Sequence, residues 1–224
     1  LKKSRFIDGE KCTGCDDCSK VCPVTIPSEF NMGLGTRKAI YRPFPQAIPN
    51  VFTIDKRGTP SCRANCPAGV NVQGYLALIR EDKFKEALEL IRKYIAFPAV
   101  LGRVCFHPCE LECERSKVDE QLAICALKRF VSDEVGEMSE RPKPIPKIYD
   151  EKVAIIGSGP AGLTVAYELV KKGYPVTVFE ALPEPCVMLR VGIPDYRLPK
   201  KVLDTEIQYI RDLGVEIRTN TPIG

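Results

Sequence analysis

The chain has 224 residues, 44% of them hydrophobic, and its 33 Lys and Arg against 29 Asp and Glu leave a net charge of only +4. That is enough apolar content for one large core or two modest ones. No dense basic run with interleaved aromatics occurs, and no apolar run approaches the roughly 18 residues of a membrane span, so neither nucleic acid nor a membrane is expected as a partner.

Eleven cysteines without a secretory segment point to metal in a reducing compartment, and the cytoplasm is the expected location. The first cysteines stand in "KCTGCDDCSKVCPV", where Cys12, Cys15, Cys18 and Cys22 are followed by a proline. Thiols three apart cannot reach disulfide geometry without distorting the backbone. Structural zinc usually takes two Cys-x-x-Cys pairs a dozen or more residues apart, whereas this spacing wraps thiolates around a [4Fe–4S] cube. Zinc is the alternative. In two-cluster ferredoxins the fourth Cys of such a run serves the other cluster, so Cys22 need not belong with its three neighbours.

The first module runs to about residue 40 and passes into "YRPFPQAIPN", whose prolines remove backbone donors and predict an extended connector. From Asn71 the pattern predicts helix, with Phe84, Leu88, Ile91 and Ile95 on one stripe. A second helix is expected over 122–135. Six more thiols, Cys62, Cys66, Cys105, Cys109, Cys113 and Cys125, come from three segments around this helical pattern, and folding it would gather them into one or two clusters. Cys125, on an apolar helix, has a buried inert thiol as its alternative. His107 within Cys-Phe-His-Pro-Cys is a candidate zinc ligand, a hydrogen-bond donor to a cluster sulfur, or plain packing.

The segment "SERPKPIPKIYD" predicts a linker and a domain boundary at 139–150. Beyond it, "KVAIIGSGPAGLTVAYELVKKGYPVTVFEA" reads strand, glycine turn, helix, strand. Gly157 suits the tight turn, Gly159 a close approach of pyrophosphate, and Gly162 helix–strand packing, while the helix N-terminus favours phosphate charge. Glu180, 18 residues past Gly162 at the end of the next strand, is placed to bind a ribose.

Here a family resemblance enters. The stretches "CRANCPAGVNVQGYLALIREDKFKEALELIRKY", "GRVCFHPCELEC" and "VDEQLAICALKRFVSDE" resemble the iron–sulfur helical domain ahead of the flavin domain in the glutamate synthase small subunit and its relatives. The run "CTGCDDCSKVCPV" with "PSEFNMGLGTRKAIYRPFPQAIPN" is similar to the ferredoxin segment of the flavin subunit of heterodisulfide reductase. "GSGPAGLTVAYEL" and "MLRVGIPDYRLPKKVLDTEIQYIRDLGVEI" look like the FAD half of the same flavoproteins. The implied fold is an α+β ferredoxin-like segment with its connector (1–58) and an α-helical iron–sulfur domain (59–138). The linker (139–150) then leads to the first part of an α/β Rossmann-type FAD domain (151–224).

Related helical domains carry two more cysteines just before the position of Cys62, which complete one cluster with the counterparts of Cys62 and Cys113. That pair is missing here. The resemblance therefore implies one [4Fe–4S] cluster on Cys12, Cys15, Cys18 and Cys22, and a second on Cys66, Cys105, Cys109 and Cys125, with Cys62 and Cys113 needing partners. It implies FAD against Gly157, Gly159, Pro160, Ala161, Gly162 and Glu180. Arg190, with Arg197 and Lys200, could offer positive charge to the flavin or stand in solvent. Cys186 and Val187 replace a Gly-Gly pair common in relatives, and side chains there are expected to crowd the cofactor. Cys186 itself reads as an unreactive loop thiol.

The chain begins at Leu1 and stops short of a nicotinamide-binding domain, so it is expected to be a fragment. The implied function is electron transfer between FAD and clusters in a heterodisulfide-reductase-like anaerobic complex, with other subunits as partners and NAD(P)H or ferredoxin as donor or acceptor. The alternatives are an NAD(P)H-oxidising subunit like that of glutamate synthase, and an electron-relay subunit without FAD.

Overall fold

A computed structural model describes residues 7–22, 24–28, 31–43, 46, 50–55, 58–138 and 141–224. Pro23, parts of the 41–50 connector and the first two residues of the 139–150 segment lie outside them. Contacts divide the chain into two compact units, residues 1–61 with 112–122, and residues 62–111 with 123–224. The division therefore does not fall at the proline-rich segment. No helix among the described residues is long and apolar enough to cross a membrane.

The first unit is built from short pieces, since Pro and Gly interrupt every run. Helix α1 (Asp17–Lys20) is followed by strands β1 (Thr25–Pro27), β2 (Thr36–Lys38), β3 (Ile40–Tyr41) and β4 (Thr53–Ile54). They form two antiparallel pairs, with Ile26 opposite Arg37 and Ile40 opposite Ile54. Arg37 ties them locally: its guanidinium lies over the Tyr41 ring at 3.7 Å and bonds Asp55 at 2.6 Å.

The second unit opens on α2 (Ser61–Ala64), α3 (Val72–Arg80), α4 (Phe84–Arg92), α5 (Pro98–Val104), α6 (Pro108–Leu111) and α7 (Ile124–Met138). The helical run expected from Asn71 is two helices. Asn71 caps α3 by accepting from the Gly74 N–H at 3.0 Å, and the chain breaks at Asp82, whose φ is +57. Asp tolerates the left-handed region better than most residues, and the Lys83 N–H turns back to the Leu78 carbonyl. Of the expected stripe, Leu88, Ile91 and Ile95 are buried with Tyr75, Ala87 and Val131, while Phe84 meets Phe130 edge-on at 5.4 Å. Helices α5 and α7 approach closely because residue 102 is glycine: a Cβ there would lie 2.8 Å from the Arg129 Cα.

The remaining elements are β5 (Val153–Ile156), α8 (Pro160–Lys171), β6 (Val176–Phe179), α9 (Val187–Gly192), α10 (Lys200–Asp212) and β7 (Glu216–Arg218), with the strands parallel in the order β5-β6-β7. Val178, Leu163, Ala166, Ile207 and Ile210 bury the face between sheet and helices, and Ala96, Phe97 and Val100 join the same core from the α4–α5 corner. Residues 141–150 are extended and bound to this body. The Ile145 N–H donates to the Leu213 carbonyl, the Ile148 N–H to that of Gly173, and Tyr149 stacks on Tyr174 at 4.2 Å.

One charge lies in the seam of this unit. Glu206 on α10, 2% exposed, accepts from Arg92 at 3.1 Å and from the Ala99 N–H in the first turn of α5 at 3.2 Å. Arg92 also stacks over Tyr209 at 3.5 Å, and its carbonyl accepts from the Tyr167 hydroxyl at 2.6 Å.

Burial pushes the Glu206 carboxyl up to about 7, against the pull of Arg92 and the α5 N–H groups. A folded value above the ordinary 4.5 means that its stabilisation is full below about 4.5 and is lost as pH rises through about 7. Urea titrations should show wild type losing its advantage over Glu206→Gln across that window, and a pH-independent difference would contradict the assignment. Glu206→Ala, which leaves Arg92 buried and unpaired, should lose roughly 3–5 kcal/mol.

Candidate iron–sulfur and dinucleotide sites

In the first unit the loop before α1 is tightly wound. Gly14 has φ +72 and a Cβ there would lie 2.8 Å from the Asn50 carbonyl oxygen, so this turn needs glycine. Cys12 and Cys15 lie within electrostatic reach of Cys18: burial pushes the Cys18 thiol up, and Cys12 and Cys15 add to the rise. The Cys12 Sγ accepts from the Phe52 N–H at 3.5 Å. Cys22 is buried with its Sγ 3.7 Å from the Val24 carbonyl. Cys113 also falls in this unit, buried ahead of a 3-10 turn at Glu114–Lys117, its carbonyl accepting from the Ser116 hydroxyl at 2.7 Å.

In the second unit the thiols gather around one phenol. Tyr75 is 1% exposed and donates to the Ile124 carbonyl at 3.3 Å. Burial pushes its hydroxyl up, and Cys109, Cys125, Cys62 and Cys66 each push it further, so all four stand near it. Cys109 is pushed up to about 11 by burial, opposed by Lys128 and reinforced by Cys66, Glu110 and Cys105. Cys125 rises for the same reasons, burial first, with Lys128 against it and Cys105 and Glu110 adding. Cys105 ends α5 and its Sγ accepts from the His107 N–H at 3.3 Å. His107 turns Nδ1 to the Cys105 carbonyl at 3.1 Å, and its Nε2 lies 3.7 Å from Glu110. Among the described residues no three His, Cys, Asp or Glu side chains form a group that could hold a single metal ion. Sulfur donors of this kind suit iron–sulfur clusters and zinc.

The glycine turn follows β5. Gly157 has φ +90, and at Gly157 and Gly159 a Cβ would meet nothing within 4 Å, so that face is open. Gly162 is closed: a Cβ would lie 2.1 Å from the Gly157 carbonyl oxygen. Helix α8 starts with Pro160 and has no side-chain cap, so the first-turn N–H groups, among them those of Ala161 and Gly162, lack a capping side chain. An open backbone face beside an uncapped helix N-terminus suits a pyrophosphate.

Glu180 is held to this turn. One carboxylate oxygen accepts from the Ser158 N–H at 2.9 Å and from the Ser158 hydroxyl, and the other accepts from the Leu182 N–H at 3.0 Å. Burial pulls the Glu180 carboxyl up, but the hydrogen bonds from Ser158, Leu182 and Ala181 outweigh it and leave it below its ordinary value. The Ser158 oxygen in turn accepts from the Cys186 N–H at 3.0 Å. Cys186 has φ +62, the conformation a glycine would take without cost, and its fully buried thiol packs into the core, where burial pushes it up to about 11. Arg190 turns back on the chain, donating to the Pro185 carbonyl at 3.0 Å and pairing with Asp204 and Glu184. Arg197 and Lys200 are exposed. Sequence reasoning missed Tyr75, Glu110, Ser158 and Gly102; only Gly102, a glycine inside an apolar helical stretch, carried a readable signal.

Comparison with known proteins agrees with this division of chemistry. Residues 56–140 match the family described as dihydropyrimidine dehydrogenase domain II, 4Fe-4S cluster, and residues 155–217 match the NAD(P)-binding Rossmann-like domain. The chain is thus an iron–sulfur domain joined to a Rossmann-like domain. It is similar to proteins named as oxidoreductases or their subunits. It is 45% identical to the beta subunit of NADP(+)-dependent formate dehydrogenase from Moorella thermoacetica, over 74% of this chain and 27% of that one. It is 45% identical to the beta subunit of NADPH-Fe(3+) oxidoreductase from Geobacter sulfurreducens, over 78% and 26%. With the NADH glutamate synthase of Schizosaccharomyces pombe the identity is 35%, over 75% and 8%. The chain spans about a quarter of the length of the first two relatives.

The glycine turn predicts an asymmetric response to single methyl groups. Gly162→Ala drives a Cβ into backbone and should cost at least about 1–3 kcal/mol. Gly159→Ala, at φ −64 with free space, should be nearly neutral in stability. Urea midpoints of the two variants check this; equal midpoints would mean that helix and strand are not packed through Gly162.

Proposed function

We propose that this chain is part of a cytoplasmic iron–sulfur flavoprotein oxidoreductase that passes electrons between FAD and [4Fe–4S] clusters to other subunits of a complex. The observation that carries the reading is the gathering of thiols about Tyr75 in the same compact unit as the open glycine turn. Cys12, Cys15, Cys18 and Cys22 would hold one cluster, and Cys66, Cys105, Cys109 and Cys125 a second. Cys62, close to Tyr75, and Cys113, in the other unit, are further candidate ligands.

The dinucleotide would lie with its pyrophosphate against Gly157, Gly159 and the N–H groups of Ala161 and Gly162. Pro160 leaves that end of α8 without a donor of its own and presets its first turn. Glu180 has lone pairs left for a ribose while it holds Ser158 and the start of the following loop. Arg190, engaged by Asp204 and Glu184, would act by orienting that loop. Bound together, FAD and the clusters would supply the division of a two-electron transfer into single-electron steps.

The names of the relatives, linked to NADP(H) and NADH, favour NAD(P)H as the two-electron partner. Similarity of the Cys12–Cys22 segment to the heterodisulfide reductase flavin subunit supports a second reading, in which the complex serves that kind of reductase with ferredoxin as a one-electron partner.

The intact complex, prepared anaerobically, should contain acid-labile sulfide, iron and FAD. Stoichiometric zinc without sulfide would overturn the cluster reading, and clusters without flavin would leave an electron relay instead. Glu180→Ala removes charge-assisted hydrogen bonds worth about 1.5–3 kcal/mol, so FAD retention should weaken roughly ten- to a hundredfold. Unchanged flavin affinity in that variant would refute the role of Glu180.

A further inference from the structure

We propose that Glu110 is the positioning residue of the helical-domain cluster: its carboxylate ties the loop bearing Cys105 and Cys109 to the first turn of α7, which bears Cys125. This rests on the reading above that these thiols, with Cys66, hold one cluster.

Helix α7 starts without a cap of its own. The Leu127 N–H reaches back to the Ala123 carbonyl, so Ala123 occupies the cap position, and a methyl group cannot accept the free N–H groups of the first turn. Glu110 supplies the missing acceptor from 15 residues away, taking the Cys125 N–H at 2.6 Å. It is 8% exposed, so water cannot readily replace it there. A carboxylate at this end of a helix gains both a charge-assisted hydrogen bond and the helix dipole. The bond is made to the backbone of the cysteine itself. Because Glu110 directly follows Cys109, a single side chain sets the spacing between two thiols from different segments.

The charge of Glu110 is a separate matter. Among the described residues its second oxygen faces His107 Nε2 at 3.7 Å, beyond hydrogen-bond reach, while the first lies on the backbone of Cys125 and the residue itself adjoins Cys109. Glutamine could accept the Cys125 N–H equally well without repelling sulfur. The acid therefore adds negative charge beside the cluster, which disfavours a further electron and lowers the reduction potential.

The test uses the intact complex under anaerobic conditions, with iron content, electron paramagnetic resonance and a potentiometric titration of each cluster. Glu110→Ala should free the first turn of α7 and lose iron at one corner, giving in the oxidised protein the same three-iron signal that is expected of Cys125→Ser. Glu110→Gln should keep the four-iron cluster and raise its potential, a shift that a residue needed only for folding would not produce. Four-iron clusters intact in Glu110→Ala, or an unshifted potential in Glu110→Gln, would overturn the proposal. If Glu110→Ala does not fold, the Gln variant decides alone. A wild-type complex lacking iron on these cysteines would instead remove the cluster reading on which the proposal stands.

Discussion

Glu206 brings a carboxylate into the seam between α10, the end of α4 and the first turn of α5, where Arg92 and the Ala99 N–H meet it. Taking an acid out of water is costly, and the cost is recovered only while all of its partners stay in place. The carboxyl, through its directed hydrogen bonds, therefore specifies an arrangement more sharply than the apolar contacts around it, which would tolerate sliding. Ala96, Phe97 and Val100 can enter the core of the Rossmann-like body because α5 is held at this angle. The thiols around Tyr75 and the glycine turn then belong to a single packed unit rather than to two beads on a linker.

The same logic recurs at smaller scale around the thiols. Polar side chains here act mainly on backbone: the buried Glu110 on the Cys125 N–H and Tyr75 on the Ile124 carbonyl, and the half-buried Glu180 on the N–H groups of Ser158 and Leu182. Each satisfies a donor or acceptor that burial would otherwise leave unpaired. Glu110 follows Cys109 directly, and the carbonyl that Tyr75 holds belongs to the residue before Cys125. Gly102 contributes by absence, since only a missing side chain lets the helix that ends in Cys105 lie against the helix that carries Cys125.

Much of this was legible in the sequence where the controlling interactions are local. The glycine turn, its strand and helix, and the acid at the next strand end are fixed by neighbours within a few residues, and the parallel pairing of β5 with β6 follows from them. The helical stripe through Leu88, Ile91 and Ile95 was equally local. Its division at Asp82 was not, because an acidic residue in a polar turn of such a pattern looks like any solvated position. Glu110 and Glu206 resembled surface acids: their partners lie 15 and 107–114 positions away, and no periodicity reports a pairing at that range. The proline-rich segment at 139–150 has the composition of a spacer, yet its described part, 141–150, is tied down, because the N–H groups of Ile145, Ile148 and Tyr149 find partners at Leu213 and Gly173.

Helix α5 has seven residues, a rod of about 10 Å at 1.5 Å per residue. Its first turn is locked by Glu206 and its last residue leads directly into Cys105. A rod anchored at one end and carrying a thiol at the other is a spacer of set length, with no loop in it to stretch. Whatever separation exists between the Rossmann-like core and that sulfur is therefore a constant of the fold. Thermal motion of the surface loops would leave it unchanged, and an insertion or deletion of one residue in α5 would rotate the thiol by roughly 100° as well as shift it.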